Sequence, residues 1–565
     1  MTPPAETDAT ALNAELICAL SQDLQDARYT VDAVAELLGE GAYEALGREQ
    51  PIPAQLAVER LLGSTLAPGS AAAKPLGTKP ETTLAAVIAL FLLAAPLHRT
   101  IVDKAFSRLG AAGLLGLNLV ETTNGVETDG ALRARVDLRP YAFVDEQGEA
   151  ELWVASDLSA TQRPGVLRHD HVLGIGQASL TLAQATIRTP VPRALDLGTG
   201  CGIQAFHLLR HAEHVTLTDI SARALAFTRF NLLLNAGALN LDPERLEDRV
   251  SIRLGSLFEP VQGEHFDLVV SNPPFVITPR HQGESAEDQF TYRDGGLPGD
   301  ELVAAVLRGL PAILADGGVA QLLGNWEIQN KDWSARLSEW IDPALEPWVI
   351  QREQLSPQRY AETWLQDASE ARDPQLYRAA YRDYLADFAA RQVERIGFGL
   401  ITLRKPQRPR GATQKALNPL SGRFEELLHS LETPLGPHLA ATLERRDWLA
   451  GTGPELRAAR LLVPADVTEE RHQRPGDEHP QVILLRQGAG LRRTALLSTE
   501  AAGFVSACDG SFTVGALTGA LAALLEVPVQ ELESALIPQI CQLVDDGFLV
   551  PAADHAEDTD EAPAT

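Results

Sequence analysis

A regular alternation of strand and helix patterns between residues 168 and 405 constrains the fold more than any other feature. Short runs of branched apolar residues alternate there with segments whose apolar residues recur at helical spacing. The predicted strands cover residues 194–197, 214–218, 250–254, 266–271, 318–324 and 397–404, and the predicted helices cover 203–210, 222–236 and 300–314. Because strands that alternate with helices build a parallel sheet with helices on both faces, the sequence predicts a doubly wound, Rossmann-like α/β domain.

Smaller α+β regions are predicted on both sides of this sheet. The first shows helical patterns and then a hairpin whose turn is Asp145-Glu-Gln-Gly148, and the last shows a strand pair, three helices and a short strand. We expect both to be winged-helix-like, and the last is similar to the small PqqD-like peptide-binding domains. The predicted boundaries are 1–160, 165–405 with a helical insertion at 327–394, a linker with helices at 406–453, 454–551, and a disordered acidic tail at 552–565.

Composition restricts the partners and the compartment. The formal net charge of −28 disfavours nucleic acid, whose binding needs clustered Lys and Arg. One basic segment, 404–423, is interpreted as a solvated linker, with a nucleic-acid or ribosome contact as the alternative. The four cysteines form no CxxC pair, so no metal site is predicted. The longest apolar run, 84–97, is too short to cross a membrane and the N-terminus does not have the pattern of a secretory signal, so we expect a cytoplasmic protein.

A glycine-rich turn after the first predicted strand is the predicted cofactor site. Its residues are Asp196, Gly198, Thr199, Gly200 and Gly202. Glycines let the backbone turn tightly and approach a ligand, and ligands of such sheets bind at the carboxyl ends of the strands. The spacing GxGxG after an acid differs from the GxGxxG of dinucleotide sites. The acid suits a ligand with an amino group, which points to S-adenosylmethionine.

Two further strand ends are predicted to complete the cofactor site. Asp219 ends the second strand, where a carboxylate can accept hydrogen bonds from ribose hydroxyls, and the adjacent Ile220 is included in the site. After the third strand stand Ser256 and Leu257, where an acid often lies near the adenine amine. The backbone or the Ser256 hydroxyl would have to take that role here.

The fourth strand ends in the tetrapeptide Asn272-Pro273-Pro274-Phe275, the predicted reaction site. The prolines stiffen the backbone and leave the Pro273 carbonyl free to accept a hydrogen bond. The Asn272 side-chain oxygen is a second acceptor, and Phe275 can stack on a flat group. Two convergent acceptors suit a planar NH2 group, so we predict these four residues as catalytic, with Asn272 also near the cofactor.

The order of these motifs resembles the HemK-type protein-glutamine N5-methyltransferases and, more widely, the amino-methyltransferases that act on adenine or guanine. The resemblance covers residues 168–324, and this range includes an Asp-Gly-Gly segment at 292–302. It implies a class I S-adenosylmethionine-dependent methyltransferase in which residues 272–275 bind the acceptor amide. The fourth residue of the tetrapeptide is usually Tyr in that family and is Phe here.

Three functional hypotheses remain open at this point. The first is methylation of a glutamine side chain in a protein. The second is methylation of an exocyclic amine, adenine N6 or guanine N2, in rRNA, tRNA or DNA. The third is a small-molecule or peptide-tailoring methyltransferase, or a catalytically inactive binding module.

Overall fold

The computed structural model describes residues 12–63, 79–123, 130–163, 168–280, 295–367, 374–407 and 422–552. Its chain divides into two compact units, residues 1–183 with 190–426 and residues 184–189 with 427–565. The predicted domain boundaries remain predictions. Most of the basic segment at 404–423 and nearly all of the predicted acidic tail at 552–565 lie outside the described residues.

The first part of unit 1 is mainly helical. Its helices are α1 (Ala14–Asp26), α2 (Val31–Leu38), α3 (Glu40–Gly47), α4 (Ile52–Leu62), α5 (Pro80–Val87, continued by a π-helix over Ile88–Leu92), α6 (Arg99–Ala105) and α7 (Gly110–Gly116). Asn13 and Thr30 cap α1 and α2 by accepting backbone N–H groups, as short polar residues do at helix starts. None of the helices in the described ranges has both the length and the hydropathy that a membrane crossing requires.

Two small sheets accompany these helices. The strands β1 (Leu97–His98), β2 (Val120–Thr122) and β3 (Ala131–Ala134) form one sheet, and β4 (Val136–Asp145) and β5 (Gly148–Asp157) form an antiparallel pair. The register of that pair ends with Asp145 opposite Gly148. The predicted hairpin and its turn are therefore confirmed.

An eight-stranded sheet forms the rest of unit 1. Its strands are β6 (Val191–Leu197), β7 (Ala212–Asp219), β8 (Val250–Leu254), β9 (Phe266–Ser271), β10 (Leu314–Ile328), β11 (Glu346–Leu355), β12 (Arg395–Arg404) and β13 (Arg423–Glu426), in the order β13-β11-β12-β10-β9-β6-β7-β8. The helices are α8 (Gln177–Ala185), α9 (Ile203–Leu208), α10 (Ala222–Leu234), α11 (Glu301–Ile313), α12 (Ala335–Trp340), α13 (Pro357–Asp367) and α14 (Pro374–Ala390).

The prediction of a parallel α/β sheet is confirmed for β6 to β10, which pair in parallel. It is wrong for β12, which runs antiparallel to both β10 and β11, so the sheet is mixed. The prediction of a helical insertion at 327–394 is wrong in one part, because that stretch also contains β11. The run Trp348-Val-Ile-Gln351 is buried on both faces of the sheet, which favours a strand over a helix.

The described residues of unit 2 form four α-helices and six strands. They are α15 (Gly436–Thr452), β14 (Arg460–Leu462), β15 (Val467–His472), β16 (Val482–Gln487), β17 (Thr494–Leu497), α16 (Thr499–Val505), β18 (Asp509–Thr513), α17 (Val514–Leu525), α18 (Val529–Asp546) and β19 (Val550–Pro551). Two three-stranded sheets, β18-β14-β19 and β15-β16-β17, accompany the helices. Gly547 ends α18 with a φ of 84°, the left-handed conformation that favours glycine.

Candidate active site

The register of the central sheet brings the predicted strand ends together. Leu197 of β6 lies opposite Thr218 of β7 on one side and Ser271 of β9 on the other. Asp219, at the end of β7, lies opposite Leu254 of β8. Parallel strands end at one edge, so the glycine turn, Asp219 and the tetrapeptide share the edge where ligands of such sheets bind.

The glycine turn follows β6 directly and is built on positive φ angles. Gly198, Gly200 and Gly202 have φ of 78°, 59° and 93°, which residues with a Cβ rarely adopt. The N–H groups of Gly198 and Thr199 both donate to the Thr218 carbonyl at 2.9 Å, which ties the turn to β7. A Cβ built at Gly198 or Gly200 would meet no described atom within 4 Å apart from its chain neighbours, so open space faces the turn.

Asp196 is a buried carboxylate of which only one oxygen is hydrogen bonded within the described residues. Its side chain belongs to a residue only 1% exposed, and Oδ2 accepts the Thr199 hydroxyl at 2.6 Å. Oδ1 makes no hydrogen bond of normal geometry within the described residues. Burial raises the pKa of Asp196 to about 7, although the Thr199 hydrogen bond opposes this. An unsatisfied buried carboxylate oxygen fits the cationic amino group of S-adenosylmethionine.

Asp219 holds the turn from the second strand. Its Oδ2 accepts the Gly200 N–H at 3.0 Å and its Oδ1 accepts the Ser221 N–H at 2.8 Å. Burial raises the pKa of this carboxyl, and the backbone hydrogen bonds oppose the shift. The adjacent Ile220 is 63% exposed, and it offers an apolar surface beside the carboxylate. The pair suits a ribose and the flat base attached to it.

The loop after β8 is fixed next to Asp219. The Gly255 N–H donates to the Asp219 carbonyl at 3.0 Å, and the Ser256 carbonyl accepts the Glu259 N–H at 3.0 Å. The predicted cofactor residue Leu257 has a φ of 47° and packs against the core cluster that surrounds Trp326. Of the two predicted cofactor residues, Leu257 therefore packs against the core, and only Ser256 has a polar side chain that could contact the cofactor.

The tetrapeptide leaves β9 beside the glycine turn. The Ser271 hydroxyl donates to the Leu197 carbonyl at 2.7 Å, which joins β9 to β6 at the start of both loops. Among the described residues, nothing hydrogen bonds to the buried Asn272 Oδ1. Pro273 is buried, and Phe275 is partly buried against the core cluster. Asn272 therefore presents an unused acceptor at the edge of the sheet where the cofactor features meet.

Two buried side chains of α10 support the glycine turn and were not predicted. The Thr228 hydroxyl donates to the Gly200 carbonyl, and Asn231 Nδ2 donates to the Cys201 carbonyl, both at 2.8 Å. Asn231 also exchanges two hydrogen bonds with Ala155 of the N-terminal hairpin. The available sequence signal was a pair of asparagines four residues apart, Asn231 within α10 and Asn235 directly after its end.

The Asp-Gly-Gly segment at 292–302 is described only from residue 295. Its Asp300 is 2% exposed and accepts the Glu327 N–H at 2.8 Å and the Arg336 Nε at 3.1 Å. These contacts attach the segment to the end of β10. No group of three or more His, Cys, Asp or Glu side chains in the described ranges is arranged to hold a metal ion.

Affinity for S-adenosylmethionine should rise with pH up to about 7, because Asp196 must lose its proton to pair with the ligand's amino group. As the pH is lowered below about 7, the dissociation constant should increase by up to about tenfold per pH unit, because the α-amino group of the ligand, with a pKa of about 8, stays charged while Asp196 becomes protonated. Calorimetry between about pH 5.5 and 7.5 measures this dependence. Asp196→Asn should remove it, and a pH-independent affinity of the unaltered protein would contradict the role of Asp196.

Two ranges of the chain match models of known protein families. Residues 157–292 match the family model described as methyltransferase small domain, and residues 26–134 match a domain of unknown function, DUF7059. A ribosomal protein uL3 glutamine methyltransferase of Bradyrhizobium diazoefficiens is 32% identical over 189 residues, covering 32% of this chain and 54% of that protein.

Two further relatives are a second glutamine methyltransferase and an RNA methyltransferase. A release factor glutamine methyltransferase of Cereibacter sphaeroides is 35% identical over 143 residues, 24% of this chain and 48% of that protein. A ribosomal RNA small subunit methyltransferase C of Alcanivorax borkumensis is 31% identical over 179 residues, 32% of this chain and 46% of that protein. The chain thus spans about half the length of the curated relatives it matches. Residues 157–292 are therefore similar to the methyltransferase small domain, and part of the chain is similar to the glutamine methyltransferases of ribosomal protein uL3 and of release factors.

Proposed function

We propose that this protein transfers a methyl group from S-adenosylmethionine to the side-chain amide of a glutamine in another protein. The observation that carries the proposal is the buried, unpartnered Oδ1 of Asn272 beside the glycine turn. A buried acceptor without a donor is costly, so a ligand that brings an N–H group to it gains free energy. A glutamine amide has two N–H groups in one plane, and the Pro273 carbonyl would accept the second.

The residues of the site contribute binding and orientation. The cofactor, when bound, supplies an electrophilic methyl group on a sulfonium. Asp196 would hold its amino group and Asp219 its ribose, which sets the direction in which the methyl points. Asn272 and Pro273 would hold the amide and draw electron density toward its nitrogen by accepting hydrogen bonds from its two N–H groups, and the proton that the nitrogen loses on methylation would pass to water. Because the methyl group is already reactive, orientation and electrostatics can provide most of the acceleration without a side-chain base.

The described basic residues favour a protein acceptor over nucleic acid. Three of them, Arg404, Lys405 and Arg423, belong to the segment predicted as a possible nucleic-acid contact. Arg404 Nε donates to Glu346 at 2.7 Å and Arg423 pairs with Glu425 at 3.1 Å. Lys405 Nζ donates to the Leu314 carbonyl at 2.8 Å. These cations serve internal contacts, and the chain as a whole carries a net charge of −28, which repels phosphate.

Methylation of an exocyclic amine in RNA is the second candidate. It is supported by the similarity to the ribosomal RNA small subunit methyltransferase C. The planar NH2 of a nucleobase presents the same two N–H groups as an amide, so Asn272 could bind either. The acceptor must therefore be identified by experiment.

The flanking regions are proposed to be winged-helix-like and to contact the protein acceptor. In unit 2, α16, β18, α17, α18 and β19 follow one another as helix, strand, helix, helix and strand around one core cluster, which supports this proposal. A role in translation would place the protein in the cytoplasm.

The test is a labelling experiment with the purified full chain. Methyl-labelled S-adenosylmethionine is incubated with recombinant uL3, with a recombinant release factor and with total RNA in separate reactions, and mass spectrometry locates the methyl group. Label on a glutamine side chain supports the proposal. Label on RNA alone would transfer the assignment to the second candidate. A cofactor-binding protein that labels none of the three acceptors would contradict both.

A further inference from the structure

The chain just past the tetrapeptide is held by a side chain of the insertion. The Ile277 N–H donates to the Tyr360 hydroxyl at 2.7 Å, and Asn325 Nδ2 of β10 donates to the same hydroxyl at 2.9 Å. Tyr360 lies on α13 and is completely buried. One hydroxyl therefore joins the reaction loop, the central sheet and the insertion.

The ring of Tyr360 is fixed by its aromatic neighbours. It stacks on Phe398 of β12 with centroids 5.8 Å apart and meets Phe388 of α14 edge-on at 5.5 Å. Ile277 belongs to the same buried cluster. Such packing leaves the ring little freedom, so the hydroxyl occupies a defined position.

Asn325 reaches the level of the tetrapeptide through the strand register. The register of β10 and β9 places Leu322 opposite Ser271, the last residue of β9. Asn325 lies further along β10, beside the chain that continues from β9 into the tetrapeptide. It is fully buried, and its Oδ1 has no hydrogen-bond partner in the described part of the chain.

We propose that Tyr360 is a positioning residue of the acceptor site. The inference rests on the proposed function, because it concerns how residues 272–275 are held for the acceptor NH2. With its hydroxyl bound to both Ile277 and Asn325, Tyr360 sets the distance between the end of the tetrapeptide and β10. A shift of about 1 Å in a reacting group can lower a rate by about a hundredfold, so this distance matters for turnover.

The test removes the hydroxyl and keeps the ring. Tyr360→Phe should lower kcat for glutamine methylation of uL3 or the release factor by about tenfold or more, with a change of less than about twofold in the Kd for S-adenosylmethionine. Tyr384→Phe is the matched control. It removes the hydroxyl of another buried tyrosine in the same cluster, where the ring of Tyr384 packs on Tyr360 and Phe388, and it should retain kcat because, within the described residues, Tyr384 makes no contact with Ile277 that resembles that of Tyr360. Equal losses of kcat in the two variants would show that Tyr360 acts only through packing and would contradict its positioning role.

Amide hydrogen exchange provides a second measurement that needs no acceptor. The Ile277 amide should exchange at least about tenfold faster in Tyr360→Phe than in the unaltered protein or in Tyr384→Phe. Unchanged exchange at Ile277 would overturn the proposal. If the unaltered protein methylates neither glutamine acceptor, the proposed function fails, and the exchange measurement still decides whether Tyr360 holds the loop.

Discussion

Asn272→Ala should lower methyl transfer about 10²- to 10³-fold while the Kd for S-adenosylmethionine changes by less than about threefold. The substitution removes the side-chain oxygen that is buried without a partner beside the glycine turn. That oxygen would contact only the acceptor, so its loss should reduce kcat/KM for the acceptor and leave the cofactor contacts of Asp196 and Asp219 in place. Single-turnover assays with a methylatable protein, together with calorimetry for the cofactor, separate the two effects.

A matched control for this substitution is Asn330→Ala. Asn330 is an exposed asparagine of the same unit whose side chain accepts the Asp332 N–H at 2.8 Å in a turn. Its removal costs one local hydrogen bond, about 1 kcal/mol, and should leave turnover unchanged. If Asn272→Ala keeps full activity, or if it weakens cofactor binding as much as turnover, the assignment of Asn272 to the acceptor is wrong.

Asp219→Asn should weaken S-adenosylmethionine binding by about 10- to 100-fold, almost as much as Asp219→Ala. Both carboxylate oxygens already accept backbone N–H groups, from Gly200 and Ser221. An asparagine amide would place its own NH2 against one of these donors, so even this isosteric change breaks a hydrogen bond. It also removes the charge that would bind the ribose hydroxyls.

Calorimetry with the cofactor measures this loss, and turnover should recover at saturating cofactor because Asp219 does not contact the acceptor. Asp248→Ala removes an exposed carboxylate that pairs with Arg245 and serves as the control. An unchanged Kd in Asp219→Asn, or a turnover that stays low at saturating cofactor, would show that Asp219 does not bind the ribose.

The meeting of the strand ends that carry the predicted cofactor residues could be predicted because it follows from local chain order. A strand, a glycine turn and a helix require only neighbouring residues, and the parallel pairing of β6, β7, β8 and β9 then brings their ends together. The acceptor half could not be predicted in the same way. The contact between Tyr360 and Ile277 joins residues 83 positions apart, and no periodic pattern indicates such a pair.

The spacing of four tryptophans between residues 326 and 348 also suggests a structure that the chain does not adopt there. Trp326, Trp333, Trp340 and Trp348 recur every seven or eight residues, which favours an apolar helix face. Trp326 and Trp348 instead lie on β10 and β11, where large side chains fill the layer between the sheet and its helices. Burial on both faces erases the alternation that would identify a strand.

The ladder between β10 and β12 has an evolutionary consequence. It runs in unbroken register from Val319 opposite Arg404 to Ile328 opposite Arg395, and the insertion begins and ends at its open end. Apart from β11 and the contact that Tyr360 makes with Ile277, a segment held at its base in this way can change in length and sequence without disturbing the strands that carry the predicted cofactor residues. Related proteins could thus come to bind different acceptor substrates through changes in this segment, while the strand ends that carry the predicted cofactor residues stay the same.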